Sequence, residues 1–235
     1  MFIDSDHCKR CLDCMPVCPV GAIRLEAKQV IIDLEECVEC GVCLRLDICP
    51  EKAIKQVDQI PYPRIIRAVF SDPLQVHDTG IGGRGTEEMK TNDVTNNFER
   101  GKIGFSIEVG RPGVGTYLRD LEKVVKKATS MGAEFAKDNP VMPLIADRKT
   151  GALRPEVLKE KVLTAIAEFI VPEDQALMVI NEMKNYLNES LESVATMSVI
   201  SRANPKGESE FLKRLDTLVE KPYPNGKVNI GLAVS

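Results

Sequence analysis

The chain has 235 residues, enough for one large domain or two smaller ones, with 43% hydrophobic and 28% charged residues in ordinary globular proportion. No run approaches the roughly 18 apolar residues of a membrane span, and the opening "MFIDSDHCKR" lacks the basic and apolar regions of a signal peptide, so a cytoplasmic protein is expected. The net charge of −4 sits entirely in residues 1–59, which hold 7 Lys/Arg and 11 Asp/Glu; with no basic stripe anywhere, nucleic acid is not an expected partner.

All eight cysteines fall between Cys8 and Cys49. Cys8, Cys11 and Cys14 align with Cys37, Cys40 and Cys43 at a constant offset of 29, and each half closes on Cys-Pro, at Cys18-Pro19 and Cys49-Pro50. Disulfides are not expected in a reducing compartment, so tight C-x2-C spacing points to metal ligation. Three thiolates at i, i+3 and i+6 suit three corners of a compact cluster. Zinc in two four-thiolate sites is the alternative, although zinc ribbons separate their C-x2-C pairs by a longer loop.

Over about residues 1–59 the sequence resembles the bacterial two-[4Fe–4S] ferredoxins. "CKRCLDCMPVCP" matches their C-x2-C-x2-C-x3-C-P pattern in full. The resemblance implies that one [4Fe–4S] cluster is held by Cys8, Cys11, Cys14 and Cys49, and the other by Cys37, Cys40, Cys43 and Cys18. It also implies low-potential one-electron transfer. The second half departs from the pattern, with five residues between Cys43 and Cys49 where three are usual. That longer loop is expected beside the Cys8 cluster. Clusters add negative charge to an already acidic domain, so a redox partner with a basic docking face is the expected complement.

"QIPYPRIIRAVF" reads as a short extended connector because of Pro61 and Pro63. Residues 71–102 have no periodicity and read as a long irregular loop, giving a connector-and-loop segment over 60–100. Gly80, Gly82 and Gly85 spell a dinucleotide fingerprint there, but no buried strand precedes it. His77 and Arg84 lie in the same loop.

Residues 101–235 read as a second domain. "KIGFSIEVG" alternates as a strand, and Leu118, Leu121, Val124, Val125 and Ala128 make one helical face. "VMPLIAD" reads as a short strand and "KVLTAIAEFIV" as a central one. A helix follows Pro172 with Leu177, Ile180, Met183 and Leu187 aligned; then come strand "VATMSVI", helix "SEFLKRLDTLVE" and a last strand, "KVNIGLAVS". The fold class expected is α+β: a dicluster ferredoxin domain followed by a split βαβ (β-α-β-β-α-β) sandwich with an extra helix and strand.

"GRPGVGT", with Gly110, Arg111, Gly113, Gly115 and Thr116, leads from the first strand of that domain to its first helix. It reads first as a turn needing positive φ, and second as an anion site of backbone amides helped by Arg111. With no catalytic constellation in view, an electron-transfer protein or subunit is expected rather than a stand-alone enzyme. Its C-terminal domain would dock a larger redox enzyme or form a homo-oligomer. The alternatives are an iron–sulfur oxidoreductase whose C-terminal domain binds a flavin or a small anion, and a redox-linked metabolite sensor.

Overall fold

The computed structural model describes residues 1–75, 98–111, 113–137 and 139–215. The glycine fingerprint, His77, Arg84 and the last expected strand lie outside the described residues.

The N-terminal part contains strands β1 (Phe2–Ile3), β2 (Ile23–Glu26), β3 (Gln29–Ile32) and β4 (Ile54–Lys55) and the short helix α1 (Val42–Arg45). β1 pairs antiparallel with β4 and β2 with β3, so the start of the first half closes on the end of the second. The sequence repeat persists in the backbone. Cys8 N–H donates to Asp4 O at 3.0 Å and Cys37 N–H to Asp33 O at 2.9 Å. Arg10 (φ 60°) corresponds to Glu39 (φ 54°), and Leu12 (φ 71°) to Gly41 (φ 70°). Left-handed backbone costs roughly 1–2 kcal/mol per non-glycine residue, and here it turns the chain around successive cysteines.

The connector differs from expectation. Pro61 and Pro63 lead directly into helix α2 (Ile65–Ser71), whose Arg67, Ala68, Phe70 and Ser71 are buried. Prolines just ahead of a helix are compatible with it, because the first helical N–H groups need no intrahelical partner.

The C-terminal part is built on a four-stranded antiparallel sheet of order β12-β5-β11-β7. Its strands are β5 (Lys102–Val109), β7 (Glu134–Phe135), β11 (Ala165–Pro172) and β12 (Ala195–Ile200). β11 lies between β5 and β7, with Ala165 opposite Val109 and Phe169 opposite both Phe105 and Phe135. A strand paired on both sides and covered on both faces explains the unbroken apolar run of "AIAEFIV" apart from Glu168. Helix α3 (Leu118–Ser130) connects β5 to β7 through a short excursion, and α4 (Ala176–Ser190) connects β11 to β12. Both helices pack on the face carrying Ile103, Phe105, Ile107, Ala167 and Phe169, where Phe105 and Phe169 stack at 5.2 Å. On the opposite face Phe98 lies over Gly104, where an added Cβ would come within 2.0 Å of the ring.

Two details correct the sequence reading. "VMPLIAD" is not a sheet strand: Met142–Leu144 form a 3-10 turn, and β8 (Ile145–Asp147) makes a separate ribbon with β9 (Ala152–Leu153). The fourth sheet strand is instead β7, two residues long and too short to leave a periodic signal. α4 fully buries Ala176, Val179 and Met183, while Leu177, Ile180 and Leu187 only flank the core. A second ribbon pairs β6 (Thr116–Tyr117) with β10 (Lys161–Val162), and helix α5 (Glu210–Leu215) buries Phe211 in the same core.

Candidate metal centres

The eight cysteines gather as two sets of four. Cys8, Cys11, Cys14 and Cys49 line one cavity, which is partly open to solvent. Cys18, Cys37, Cys40 and Cys43 line a second. The fourth member of each set comes from the other half of the repeat, which makes the halves interdependent. Among the described residues no three Cys, His, Asp or Glu side chains converge closely enough to hold a single metal ion. Each set of four thiols shares one cavity, a donor set of the kind a compact iron–sulfur cluster uses.

The walls suit such a group. Ala22 N–H donates to Cys18 Sγ at 3.2 Å, and Ala53 N–H donates to Cys49 Sγ at 3.3 Å. Amides aimed at sulfur favour an electron-rich thiolate. Burial pushes the thiols of Cys14, Cys37 and Cys40 up from their ordinary range. Burial, and then the neighbouring Cys37, Cys40 and Cys18, push Cys43 up to about 11. Thiolates gathered in this way need a cationic core to sustain them. His7 is exposed and pairs through Nδ1 with Asp4 Oδ2 at 2.8 Å.

The longer loop between Cys43 and Cys49 runs into Cys49 of the first set, and its Ile48 packs in the cluster that holds Cys8 and Cys14. Residues 44–48 line neither cavity. Arg45 at its start folds back over Gly41, donating to Cys40 O at 2.6 Å and Asp72 Oδ1 at 2.8 Å. A side chain at Gly41 would meet this guanidinium at 2.5 Å. The loop therefore ties the second thiol set to the end of α2.

Gly113 and Gly115, in the turn that follows β5, lie against the same set. Gly113 N–H donates to Pro19 O, next to Cys18, at 2.6 Å. Gly115 N–H donates to Arg111 O, and the first amides of α3, from Leu118 and Arg119, donate to Glu160 O and Leu158 O. Arg111 pairs with Glu108 and donates to Thr196 Oγ1, while Thr116 Oγ1 donates to Ser193 Oγ. Gly110, Gly113 and Gly115 all have positive φ. A Cβ at Gly110 would lie 2.8 Å from Leu163 O. These amides donate to the chain's own carbonyls, and the segment has the geometry of a docking turn.

Sequence reasoning missed Arg67. This residue, 4% exposed, donates from Nη1 to Leu34 O, Glu35 O and Cys37 O at 2.9 Å each, and from Nε to Glu160. The available signal was an arginine inside the apolar run "IIRAVF", since a buried charge demands partners.

A family model described as "4Fe-4S dicluster domain" matches residues 1–67. The "Ferredoxin-like protein in vnf region" of Azotobacter chroococcum is 43% identical over 53 residues, covering 21% of this chain and 82% of that protein. The chain belongs to the ferredoxin family. This ferredoxin domain is also similar to "Pyruvate synthase subunit PorD" of Methanothermobacter marburgensis, 43% identical over 54 residues, covering 23% of this chain and 60% of that protein. It is 46% identical over 48 residues to one component of the ion-translocating oxidoreductase complex of Methanosarcina acetivorans, covering 20% of this chain and 17% of that one. The chain thus spans less than two thirds of these last two relatives. The family match stops at residue 67, inside α2, and leaves the C-terminal part unassigned. No solved structure matches the chain significantly. Among the described residues no helix is long and apolar enough to cross a membrane.

Proposed function

We propose that this chain is a cytoplasmic one-electron carrier that holds two [4Fe–4S] clusters and works at low potential as a ferredoxin-like protein or a subunit of a larger redox complex. The observation that carries the reading is the pair of cavities, each walled by four cysteines drawn from both halves of the repeat. Cys8, Cys11, Cys14 and Cys49 would hold one group; Cys18, Cys37, Cys40 and Cys43 would hold the other. A bound [4Fe–4S] group supplies reversible one-electron exchange over a wide range of potentials. The chain's own contribution is to fix the sulfurs, to aim the Ala22 and Ala53 amides at two of them, and to exclude water with Ile23, Ile32 and Ile54. Relatives named as subunits of a pyruvate synthase and an ion-translocating oxidoreductase complex support a subunit role. The acidity of residues 1–59 supports a partner with a basic docking face. The strand order β12-β5-β11-β7, with α3 and α4 on one face, supports reading the C-terminal part as a split βαβ sandwich.

The test is anaerobic isolation of the full chain, with metal and acid-labile sulfide counts and electron paramagnetic resonance of the reduced protein. About eight irons and eight sulfides per chain, with the signal of two interacting reduced clusters, are expected. A colourless protein carrying zinc, or iron that does not cycle, would sink the proposal.

A further inference from the structure

Two thiol sets related by an internal repeat should have similar surroundings, and they do not. In the first set Cys11 is exposed, and the cavity rim carries exposed Lys9, Arg10 and Glu51. The second set is overlaid by the C-terminal part. Leu163 packs with Val38 and Cys40 in a small apolar cluster, flanked by Val20 and Val42. Gly113 is bonded to Pro19, and Lys161 is paired with Glu36. Arg67 spans the seam: its Nη1 fixes the carbonyl of Cys37 and its Nε meets Glu160, which precedes β10. Beside it, Leu163 N–H donates to Ser71 Oγ of α2 at 2.8 Å. The backbones of the two halves share the same left-handed turns, so the difference arises from what the rest of the chain lays on one of them.

The geometry points to an asymmetric pair of sites: the C-terminal part is a built-in cap over Cys18, Cys37, Cys40 and Cys43, fastened by Arg67, and it leaves Cys8, Cys11, Cys14 and Cys49 uncapped. This rests on the two-cluster reading above. Arg67 is a positioning residue, acting through the Cys37 backbone and through Glu160. Its fork of donors is what the seam uses, so a lysine with one donor centre cannot replace it.

The test uses the full chain, anaerobically loaded, exposed to an iron chelator together with iodoacetamide. Samples are quenched at intervals, and the alkylated cysteines are identified by peptide mass spectrometry. Cys8, Cys11, Cys14 and Cys49 are expected to be alkylated at least about tenfold faster than the other four, because opening of a packed seam must precede attack on the capped set. In Arg67→Lys and Leu163→Ala the gap is expected to narrow through faster alkylation of the capped set, while the outer four keep their rate. Equal rates for all eight in a protein that holds its full iron overturn the cap and leave the two-cluster reading standing. An unchanged gap in both variants overturns the role of the seam. A chain that never holds about eight irons overturns both readings.

Discussion

Asp120 shows how much one buried carboxylate organises. It is 2% exposed and accepts hydrogen bonds from Lys123 Nζ at 2.8 Å, Ser193 N–H at 2.9 Å and Glu192 N–H at 3.1 Å. It thereby pins the approach to β12 onto the first turn of α3. Burial alone would raise its pKa, but the bonds from Lys123, Ser193 and Glu192 outweigh that and hold the carboxyl below its ordinary 3.8. A depressed folded pKa contributes stability that is fully present above 3.8 and is lost as pH falls through the lower folded value. Asp120→Asn should cost about 1–3 kcal/mol near neutral pH, since it leaves donors poorly matched. That difference from the unaltered chain should shrink as the solution is acidified below the ordinary carboxyl range. Urea unfolding followed by helical circular dichroism, at neutral pH and in a series descending through about pH 3, reads both parts. A cost independent of pH would mean that the amide replaces the carboxylate only sterically.

Among the elements, β5 and α3 follow closely from sequence. Leu118, Leu121, Val124, Val125 and Ala128 are all fully buried, as the 3.6-residue period requires. Leu121→Ala should therefore cost about 2–5 kcal/mol, read as a lower urea midpoint. Gly104→Ala gives a sharper local test. Its added methyl meets the Phe98 ring rather than open space, so a loss of about 1–3 kcal/mol from overpacking is expected, visible in the same titration. Other elements left no such mark. The β2–β3 hairpin turns through Ala27 and Lys28, both left-handed, without the Asn-Gly or Asp-Gly that usually announces such a turn. β7 is too short for any period to register, and α2 was obscured by the prolines ahead of it. The repeated cysteine pattern, by contrast, stands out in the sequence at once, because a ligand set calls for one residue type at short fixed spacing, whereas packing accepts many apolar residues. The Arg67–Glu160 contact spans 93 positions, and no local pattern carries such a pairing.

At the scale of the whole molecule there are two cores of different kinds. The C-terminal core is hydrocarbon and aromatic, built on Phe105, Phe169, Leu121 and their neighbours. The N-terminal core has Cys14 and Cys37 among its buried members, with Cys8, Cys18, Cys43 and Cys49 packed against it around two cavities. Stripping the metal should therefore affect the two unequally. Hydrogen exchange measured before and after anaerobic iron removal should show residues 1–59 losing protection, with α3, α4, β5 and β11 keeping theirs. Uniform loss would show that the C-terminal core depends on the metal as well. Reloading should release protons and become more favourable with rising pH, because cysteines enter as thiols and bind as thiolates.

The repeat has a consequence for which residues each half is free to exchange. Arg10 and Glu39 occupy the same place in the two halves, with φ of 60° and 54°. Arg10 is exposed, and its guanidinium reaches Lys28 O at a long 3.3 Å. Glu39 is buried and receives Arg64 Nε at 2.8 Å. The buried ion pair at position 39 makes the two duplicated positions non-interchangeable. In a saturation library position 10 should accept most side chains, while position 39 should accept almost none, so one half drifts as the other stays fixed.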